Sequence, residues 1–435
     1  MESFFKLQER GTNVRTEVVA GVTTFMTMAY ILIVNPLILS EAGMDFGGVF
    51  TATALASILA TLTMGLAANY PFALAPGMGL NAFFAYTVVL QMGYSWETAL
   101  TAVLIEGLIF IGLTFLNVRE AIINSIPMNL KKAISVGIGL FIAFIGFSNA
   151  GVVVQGATPL ALGDLSSPTV LVALAGLVIT GILLALNVKG ALLYGILLSA
   201  IVGVPLGVTS MPDSFISAPP SLAPVAFKFD FSFLTDSKAL FDIIVVLFTF
   251  LMVDMFDTVG TLVGVATKAD MLDGEGKLPK AKQALFADAV GTTVGACLGT
   301  STVTTYVESA AGVAEGGRTG LTALTTAGMF AVALILSPLF IAIPGAATAP
   351  ALILVGLFMM SPIKDIDLDD YTEAIPAFLT IIMMPLAYSI AEGIEFGVLS
   401  YVFLKMFTGK AKDVPVLTYI VGLLFLVKIY FTYFA

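Results

Sequence analysis

Two stretches, NYPFALAPGMGLNAFFAYTVV at 69–89 and GTSTVTTYVESAAGVAEGG at 299–317, interrupt an otherwise apolar chain. The first places two prolines and two glycines before Leu80; these residues do not support a continuous helix, whereas those that follow do. The second begins with threonines and a valine, which favour extended structure, and a helix can begin near Glu308. Each stretch is therefore predicted to be a short extended segment followed by a half-helix.

The rest of the chain is apolar enough to define a membrane protein. Of the 435 residues, 58% are hydrophobic and 11% are charged, and the mean hydropathy is +1.03. So few charges could not cover the surface of a soluble domain of this length. Long apolar stretches recur from Val18 to Phe434, and a helix needs about 20 such residues to cross a bilayer. The predicted fold class is an all-α polytopic membrane protein.

Fourteen spans account for the apolar stretches and for the distribution of basic residues. The polar, basic segment 1–17 lacks the apolar core and cleavage site of a signal peptide, so we place it in the cytoplasm. Counted from there, the outside loops hold only Lys228 and Lys238, as the positive-inside rule requires. A further apolar stretch, 415–434, is either an interfacial helix or a fifteenth span. The predicted spans lie at 18–39, 47–69, 72–91, 97–116, 130–147, 169–187, 190–207, 241–265, 283–299, 301–316, 319–342, 346–360, 374–390 and 392–407.

The two halves of the chain resemble each other in sequence. LTA at 100–102 and LTA at 321–323 are each followed by a glycine and then an Ile-Pro pair, and Gly139 and Gly356 follow those pairs at the same distance. Seven spans in each half require the copies to lie in opposite orientations, which is the inverted-repeat plan of secondary transporters. The predicted organisation is a cytoplasmic N-terminus at 1–17, a first repeat at 18–207, an extracytoplasmic loop at 208–240, a second repeat at 241–407 and a C-terminal apolar or interfacial helix at 408–435.

Residue types that are scarce or missing exclude several kinds of chemistry. The chain has no histidine, which excludes histidine metal ligands, histidine proton relays and Ser-His-Asp catalysis. Its one cysteine, Cys297, excludes an intrachain disulfide. Proton handling must therefore fall to carboxylates, and we predict no cofactor, no metal and no nucleic-acid partner.

The eighth span, FDIIVVLFTFLMVDMFDTVGTLVGVA at 241–266, carries Asp254 and Asp257 deep within apolar surroundings. The two acids are three residues apart and are expected to share a helix face. No lysine or arginine lies near them in sequence, so no ion pair is offered locally. This pair suits one carboxylate that hydrogen-bonds a polar ligand and one that exchanges a proton; the alternative is a purely structural pair.

Asn81 and Glu308 lie at the ends of the two predicted half-helices, where free backbone N–H groups can bind a ligand or hold a carboxylate. The alternative is that Asn81 only caps its helix and Glu308 only complements the helix dipole. In mid-membrane, however, a carboxylate costs roughly 3 kcal/mol or more, which favours a function for Glu308. Tyr306 could stack on a planar ring, although aromatic residues in spans usually serve packing.

Other acids in apolar surroundings are weaker candidates for a binding site. Glu106 in the fourth span and Asp288 in the ninth are expected to hydrogen-bond across helices. Glu392 and Glu395 lie near an outer loop and are expected to be solvated.

Four segments resemble the azaguanine-type purine permeases, a branch of the nucleobase–cation symporter group. They are TTFMTMAYILIVNP at 23–36, GMGLNAFFAYTVV at 77–89, VDMFDTVGTLVG at 253–264 and TSTVTTYVESAAGVAEGGRTG at 300–320. The resemblance covers nearly the whole chain. It implies a core domain and a gate domain that each draw on both halves, with fourteen spans and short antiparallel strands in the third and tenth.

The resemblance also implies roles for individual residues. The uracil branch carries a histidine shortly after its eighth-span acid, whereas this chain has Thr258 there. Coupling through that histidine is therefore not carried over to this chain. We place Thr258 among the substrate-binding residues. The implied roles are hydrogen bonds to the base from Asp254 and Glu308, support of the pocket by Asn81, ring packing by Tyr306, and transport functions for Asp257, Gly79 and Glu308.

The function that follows is import of purine nucleobases across the cell membrane, with hypoxanthine and guanine favoured, by alternating access. Proton symport is expected, and sodium stays open as the coupling ion. One alternative is an adenine-preferring permease of the same family. Another is an anion or other-solute carrier on the same fold, but that reading predicts a basic residue at the half-helix ends. An intramembrane enzyme would need a metal cluster or nucleophile–base pair, which the sequence does not show. The partners are the lipid bilayer and, as in related carriers, a possible second copy in a homodimer.

Overall fold

The computed structural model describes residues 2–116, 127–156, 158–212, 214–269, 271–272 and 278–433. The chain is mostly helical throughout these ranges. Among the described helices, six are long and apolar enough to cross a membrane by length and composition: Val14–Glu41, Phe46–Ala68, Trp96–Phe115, Met128–Asn149, Pro168–Ala185 and Gly345–Asp365. Shorter apolar helices match four of the other predicted spans, 72–91, 190–207, 319–342 and 374–390, and the stretch 415–434.

The first half contains nine described helices, and its third predicted span is divided into a strand and a half-helix. The helices are α1 Glu2–Phe5, α2 Val14–Met28, α3 Ile31–Glu41, α4 Phe46–Thr63, α5 Met78–Ala82, α6 Trp96–Leu116, α7 Met128–Asn149, α8 Pro168–Ala185 and α9 Ala191–Gly203. Two π-helical segments, Met64–Ala68 and Phe83–Gln91, continue α4 and α5.

The helices of the second half follow the same plan. They are α10 Ser237–Lys268, α11 Ala281–Leu298, α12 Ser309–Ala314, α13 Gly320–Ile335, α14 Ser337–Ile341, α15 Gly345–Met359, α16 Tyr371–Leu386, α17 Ile390–Phe407 and α18 Val416–Tyr433. Short 3-10 turns at Ser232–Thr235, Ser361–Asp365 and Ala411–Asp413 join some of them.

Both predicted extended segments are strands, and they pair with each other. β1 (Leu74–Pro76) runs antiparallel to β4 (Val303–Thr305), with Ala75 opposite Thr304. A second, two-residue pairing joins β2 (Val153–Val154) and β3 (Ala161–Leu162) in a loop. α12 begins at Ser309, where the sequence predicts it, whereas α5 begins at Met78, two residues earlier than expected. The glycine at Gly77 provides its N-cap, and the helix begins as soon as the strand ends.

The outer edges of the β1–β4 pair are closed by threonines from two equivalent helices. On α4, the Thr61 hydroxyl accepts from the Leu74 N–H and donates to its carbonyl, at 3.0 and 3.2 Å. On α11, the Thr292 hydroxyl contacts the Val303 N–H and carbonyl in the same way, at 3.2 and 2.9 Å. Backbone groups in a bilayer need partners within the protein, and these threonines provide them symmetrically.

Helix packing repeats across the two halves, as a duplication requires. α6 packs on α11 as its counterpart α13 packs on α4, and α7 packs on α16 as α15 packs on α8. α8 and α9 form a pair, as do α16 and α17. The equivalent helices α7 and α15 pack extensively against each other. The duplication predicted from sequence is confirmed, whereas the count of fourteen spans stays a prediction.

The packing divides the helices into two groups, each drawn from both halves. The core group consists of α2, α3, α4, α6, α10, α11 and α13 around the strands and half-helices. The gate group consists of α7, α8, α9, α15, α16 and α17. The cavity described below lies between residues of these two groups.

α18 runs back along α17. Lys428, 12 residues after the start of α18, donates to Glu395 at 2.7 Å, and Glu395 lies 12 residues before the end of α17. The two helices are therefore antiparallel over about 18 Å. The expectation that Glu395 is solvated is wrong, since only 8% of its side chain is exposed. The return of α18 buries it beside a lysine that is 33 residues away in sequence.

Gly139 on α7 and Gly356 on α15, matched by the sequence comparison, lie directly against each other. A Cβ atom added at Gly139 would lie 2.5 Å from the Gly356 carbonyl oxygen, and one at Gly356 would meet the Gly139 carbonyl. Two helix backbones therefore touch at the centre of the gate group, where only glycine fits.

We expect Gly139→Ala to lower the melting temperature of the detergent-purified protein by a few degrees, because the added methyl group must push two helices apart at a cost of about 1–3 kcal/mol. Gly112→Ala on α6 is the matched control, since its Cβ would meet nothing within 4 Å, and higher helix propensity should leave stability unchanged or raised. Equal melting temperatures for the two variants would contradict the close α7–α15 crossing.

Candidate functional site

A cavity of about 500 Å³ lies between the core and gate groups. Asp257, Glu308 and Gly79 line it from the core side. The gate helices contribute an apolar wall that includes Ile138 and Met359. Three of the residues predicted to matter for transport therefore meet in one space that the sequence could not show.

Glu308 stands at the N-terminus of α12 and is held by the first predicted span. Its Oε1 accepts a hydrogen bond from the Tyr30 hydroxyl at 2.7 Å, and its backbone carbonyl accepts from Thr27 at 3.4 Å. Tyr30 is 1% exposed and lies at the junction of α2 and α3, where that span is interrupted. Because the tyrosine occupies Oε1, Oε2 is the oxygen left for a ligand.

Tyr30 is a site residue that sequence reasoning missed. The search for broken spans relied on prolines, glycines and runs of β-branched residues, and none of these marks the break at Ala29–Tyr30. The one available signal was a tyrosine inside the apolar run TTFMTMAYILIVNP, since a buried tyrosine hydroxyl usually has a hydrogen-bond partner.

Asn81 lies one turn inside α5 and is fully buried. Gly77 is the N-cap of that helix, so the alternative that Asn81 merely caps it is wrong. Its Oδ1 accepts a short hydrogen bond from the Ser301 hydroxyl, which ties α5 to the segment before β4. This bond fixes the orientation of the amide, and among the described residues its Nδ2 has no hydrogen-bond partner.

Asp254 and Asp257 face different surroundings although they are one helical turn apart. Asp257 lines the cavity, whereas Asp254 is fully buried beside Thr258, outside the cavity wall. Thr258 Oγ1 lies 3.2 Å from Asp254 Oδ1, 2.8 Å from Asp288 Oδ1 and 2.7 Å from Thr304 Oγ1. A hydroxyl has one hydrogen, so Thr258 donates to one carboxylate at a time. Thr258 thus joins α10, α11 and β4.

The expected hydrogen bonds of the weaker acidic candidates are confirmed. Glu106, fully buried on α6, accepts from the Thr302 hydroxyl at 2.6 Å, just before β4. Asp288 on α11 accepts from Thr258. Both acids hold the strand pair and the eighth span in place.

Gly79 lines the cavity, whereas Tyr306 does not. Tyr306 is buried, its N–H donates to the Ala73 carbonyl at 2.9 Å, and its hydroxyl donates to the Pro76 carbonyl. This places its ring at the end of the strand pair, not among the residues that line the cavity. Gly79 does line it, and a Cβ there would lie 2.8 Å from Ile138 Cγ2, so this glycine permits close approach of α5 and α7.

The two ends of α7 differ in how the core and gate groups meet. At the first turns, Met128, Lys131 and Lys132 line the mouth of the cavity. At the last residue, Asn149 donates to Glu41 Oε1 at 2.8 Å and joins the gate group to α3.

An aromatic cluster reinforces the closed end. The Tyr388 ring lies 5.6 Å from Tyr86 and 5.3 Å from Phe141, both edge-on. The described core and gate residues are therefore in contact at this end, while the cavity opens at the other.

No group of three or more His, Cys, Asp or Glu side chains within the described residues could hold a metal ion. The charged groups around the cavity are instead two carboxylates at its inner end and two lysines at its mouth. Such a site can bind a polar ligand through hydrogen bonds and hold or release a proton.

Comparison with known proteins identifies close relatives over the full chain. The model of the Permease family (Xan_ur_permease) matches residues 15–396. The chain is 46% identical over 443 residues to the guanine/hypoxanthine permease PbuG of Bacillus subtilis (strain 168), covering 100% of both proteins. It is 44% identical over 432 residues to the adenine permease AdeP of Escherichia coli (strain K12), covering 99% of this chain and 96% of that protein.

A solved structure shows the same fold at low identity. The transmembrane domain of the cyanobacterial bicarbonate transporter BicA matches with a TM-score of 0.66 and 15% identity, covering 87% of this chain and 97% of that one. At this identity the likeness concerns the fold alone.

We expect Thr258→Val to lower the melting temperature by several degrees, because it removes the hydroxyl between two buried carboxylates at a cost of about 1–3 kcal/mol. Thr249→Val is the matched control on the same helix, since the Thr249 hydroxyl only donates to the Val245 carbonyl one turn back. Thermal unfolding of both variants in detergent is the measurement. If Thr258→Val were as stable as the control, Thr258 would not organise the cluster.

Proposed function

Because this chain belongs to the Permease family, we propose that it imports purine nucleobases, with hypoxanthine and guanine favoured, by proton symport. The observation that carries this proposal is the cavity in which Asp257 and Glu308 face one space beside the N-terminus of a half-helix. The named relatives, guanine/hypoxanthine and adenine permeases, support the substrate class.

The chemistry of the cavity suits a neutral, planar ligand with N–H donors. Two carboxylates offer hydrogen-bond acceptors, and the apolar side chains of Ile138 and Met359 on the gate side suit the faces of a heterocycle. Tyr30 orients Glu308 so that Oε2 can accept from the base. An anion would meet two acids at this end, which argues against the anion-carrier alternative despite the shared fold.

The preference for guanine and hypoxanthine follows from the hydrogen-bonding edge of the base. Both present an N1–H donor, which a carboxylate can accept, whereas N1 of adenine is an acceptor. Sequence identity does not separate the two classes of relative, since the values are 46% and 44%. An adenine-preferring permease is the second candidate, favoured if the acid facing N1 is protonated.

We assign the coupling proton to the cavity acids. The chain has no histidine, and the titratable side chains that the structure describes at the inner end of the cavity are the carboxylates of Asp257 and Glu308. Asp257 and Glu308 line the same cavity, where two ionised carboxylates repel each other and a bound proton relieves the repulsion. Uptake of a proton with the base then couples transport to the proton gradient.

Alternating access is supported by the asymmetry of the two ends. The cavity opens at Lys131 and Lys132, on the face that the positive-inside rule assigns to the cytoplasm. The other end is held by the Asn149–Glu41 hydrogen bond and the Tyr388 cluster. In this proposal the structure is inward-facing in the cell membrane, with the N-terminus in the cytoplasm, and the core group moves against the gate group to open the outer end.

We expect cells that lack their own purine carriers to take up labelled hypoxanthine when they express this chain. Guanine should compete, uracil should not, and a protonophore should abolish accumulation. Glu308→Gln and Asp257→Asn should reduce uptake at least about tenfold, the size of a lost charged hydrogen bond, and Tyr30→Phe should raise the KM. Glu392→Gln, outside the cavity, is the control. Full uptake by both acid variants would refute the site, and no purine uptake by folded wild-type protein would refute the function.

A disulfide between Glu41→Cys and Asn149→Cys, in a Cys297→Ala background, should block uptake reversibly. The two native side chains are 2.8 Å apart in the inward-facing state, so the bond would lock the outer end shut. Uptake should return with a reducing agent, and each single cysteine variant serves as a control. Undiminished uptake by fully cross-linked protein would contradict opening at this end.

A further inference from the structure

The cavity has opposite charges at its two ends. Asp257 and Glu308 lie at the inner end, and Lys131 and Lys132 lie at the mouth. α7 lines the whole length, from Lys131 to Ile138, and Ile138 packs beside Gly79 at the level of the acids. Seven residues of helix span about 10 Å, so α7 places the lysines about that far along the cavity wall from Ile138.

The cavity is also larger than a purine base requires. Its volume of about 500 Å³ is within the range that holds a drug-sized ligand. A base bound to the two acids leaves the space along Ile134 and Ser135 unfilled. The mouth therefore has room for a substituent attached to the base.

The mouth favours an anionic substituent. Lys132 donates to the Asp365 backbone carbonyl at 2.7 Å, an uncharged partner. By contrast, Lys189, Lys405 and Lys410 on the same face are each paired with a carboxylate. α7 also begins here, at a Pro127 N-cap without a side-chain hydrogen bond, so its positive end adds to the field. The positive-inside rule accounts for lysines on this face but not for their position on the cavity wall.

We propose that the inward-facing cavity binds purine nucleoside 5′-monophosphates from the cytoplasm and that their binding inhibits uptake. The base occupies the Asp257–Glu308 end, the ribose lies along Ser135, and the phosphate lies between Lys131 and Lys132. This inference rests on the proposed function, since it uses the same subsite for the base. It adds a regulatory ligand, namely the compound formed when ribose phosphate is attached to the imported base.

A nucleotide bound in this way is an inhibitor rather than a substrate. Its base is held by the core group and its phosphate by α7 of the gate group. Alternating access requires these groups to move relative to each other, and a ligand that bridges them stabilises the inward-facing state. A free base lacks the phosphate that contacts the lysines of α7, so it does not tie the two groups together in this way.

Binding of labelled guanine to the purified full-length protein tests this inference, with GMP, guanosine, CMP and ribose 5-phosphate as competitors. We expect GMP to compete at least about tenfold better than guanosine, through charge-assisted hydrogen bonds to the phosphate. Lys131→Gln/Lys132→Gln should abolish this difference and leave guanine affinity within about twofold. Lys189→Gln, on the same face but paired with Glu315, should retain it. In right-side-out vesicles, GMP enclosed in the lumen should inhibit the entry of guanine, whereas GMP added outside should not.

Several results would overturn the inference. Equal competition by GMP and guanosine would remove the phosphate subsite, and equal competition by CMP or ribose 5-phosphate would remove the base requirement. Retention of the GMP advantage in the double lysine variant would place the phosphate elsewhere. If the advantage disappeared in nanodiscs of anionic lipid but not of phosphatidylcholine, the lysines would bind anionic lipid head groups instead. Absence of guanine binding to folded wild-type protein would refute the proposed function itself, which distinguishes that failure from the others.

Discussion

The antiparallel pairing of β1 with β4 is the interaction on which the rest of the structure depends. Extended backbone within a bilayer exposes N–H and carbonyl groups that lipid cannot satisfy. Here the two strands satisfy each other, and Thr61 and Thr292 satisfy their outer edges. Because the strand backbones are hydrogen-bonded in this way, two half-helices can begin in the interior of the protein. Their N-termini then face a cavity instead of an aqueous surface.

Polar side chains around the strands also hydrogen-bond to each other and hold the broken segments in position. Thr258 links the eighth span to Thr304, Glu106 holds Thr302, and Ser301 holds Asn81. Most of the intramembrane polar groups named in the sequence therefore hold the broken segments in position. Asp257 and Glu308 differ, because they face a space that a ligand can enter. Burial alone does not distinguish structural acids from functional ones; the neighbouring cavity does.

The gate group depends on a different constraint, the close crossing of α7 and α15 at Gly139 and Gly356. Without side chains between them, these helices form a compact wall opposite the half-helices. One end of α7 contacts the core through Asn149 and Glu41, and the other end carries two lysines into the cavity mouth. A single helix thus contacts the core at the closed end and contributes charge at the open end.

The sequence by itself determined the membrane class, the duplication, the two broken spans and the helix start at Glu308, because these depend on local composition and on the residues each backbone conformation tolerates. It also singled out the acids, since a carboxylate in an apolar run is rare. Only the tertiary structure decided that Asp257 faces the cavity while Asp254 joins a packed cluster, that Tyr30 holds Glu308, and that Glu395 pairs with Lys428. These contacts join residues up to 278 positions apart. No local pattern encodes which distant helix will lie against a given side chain, because that is set by how both halves pack around the strand pair.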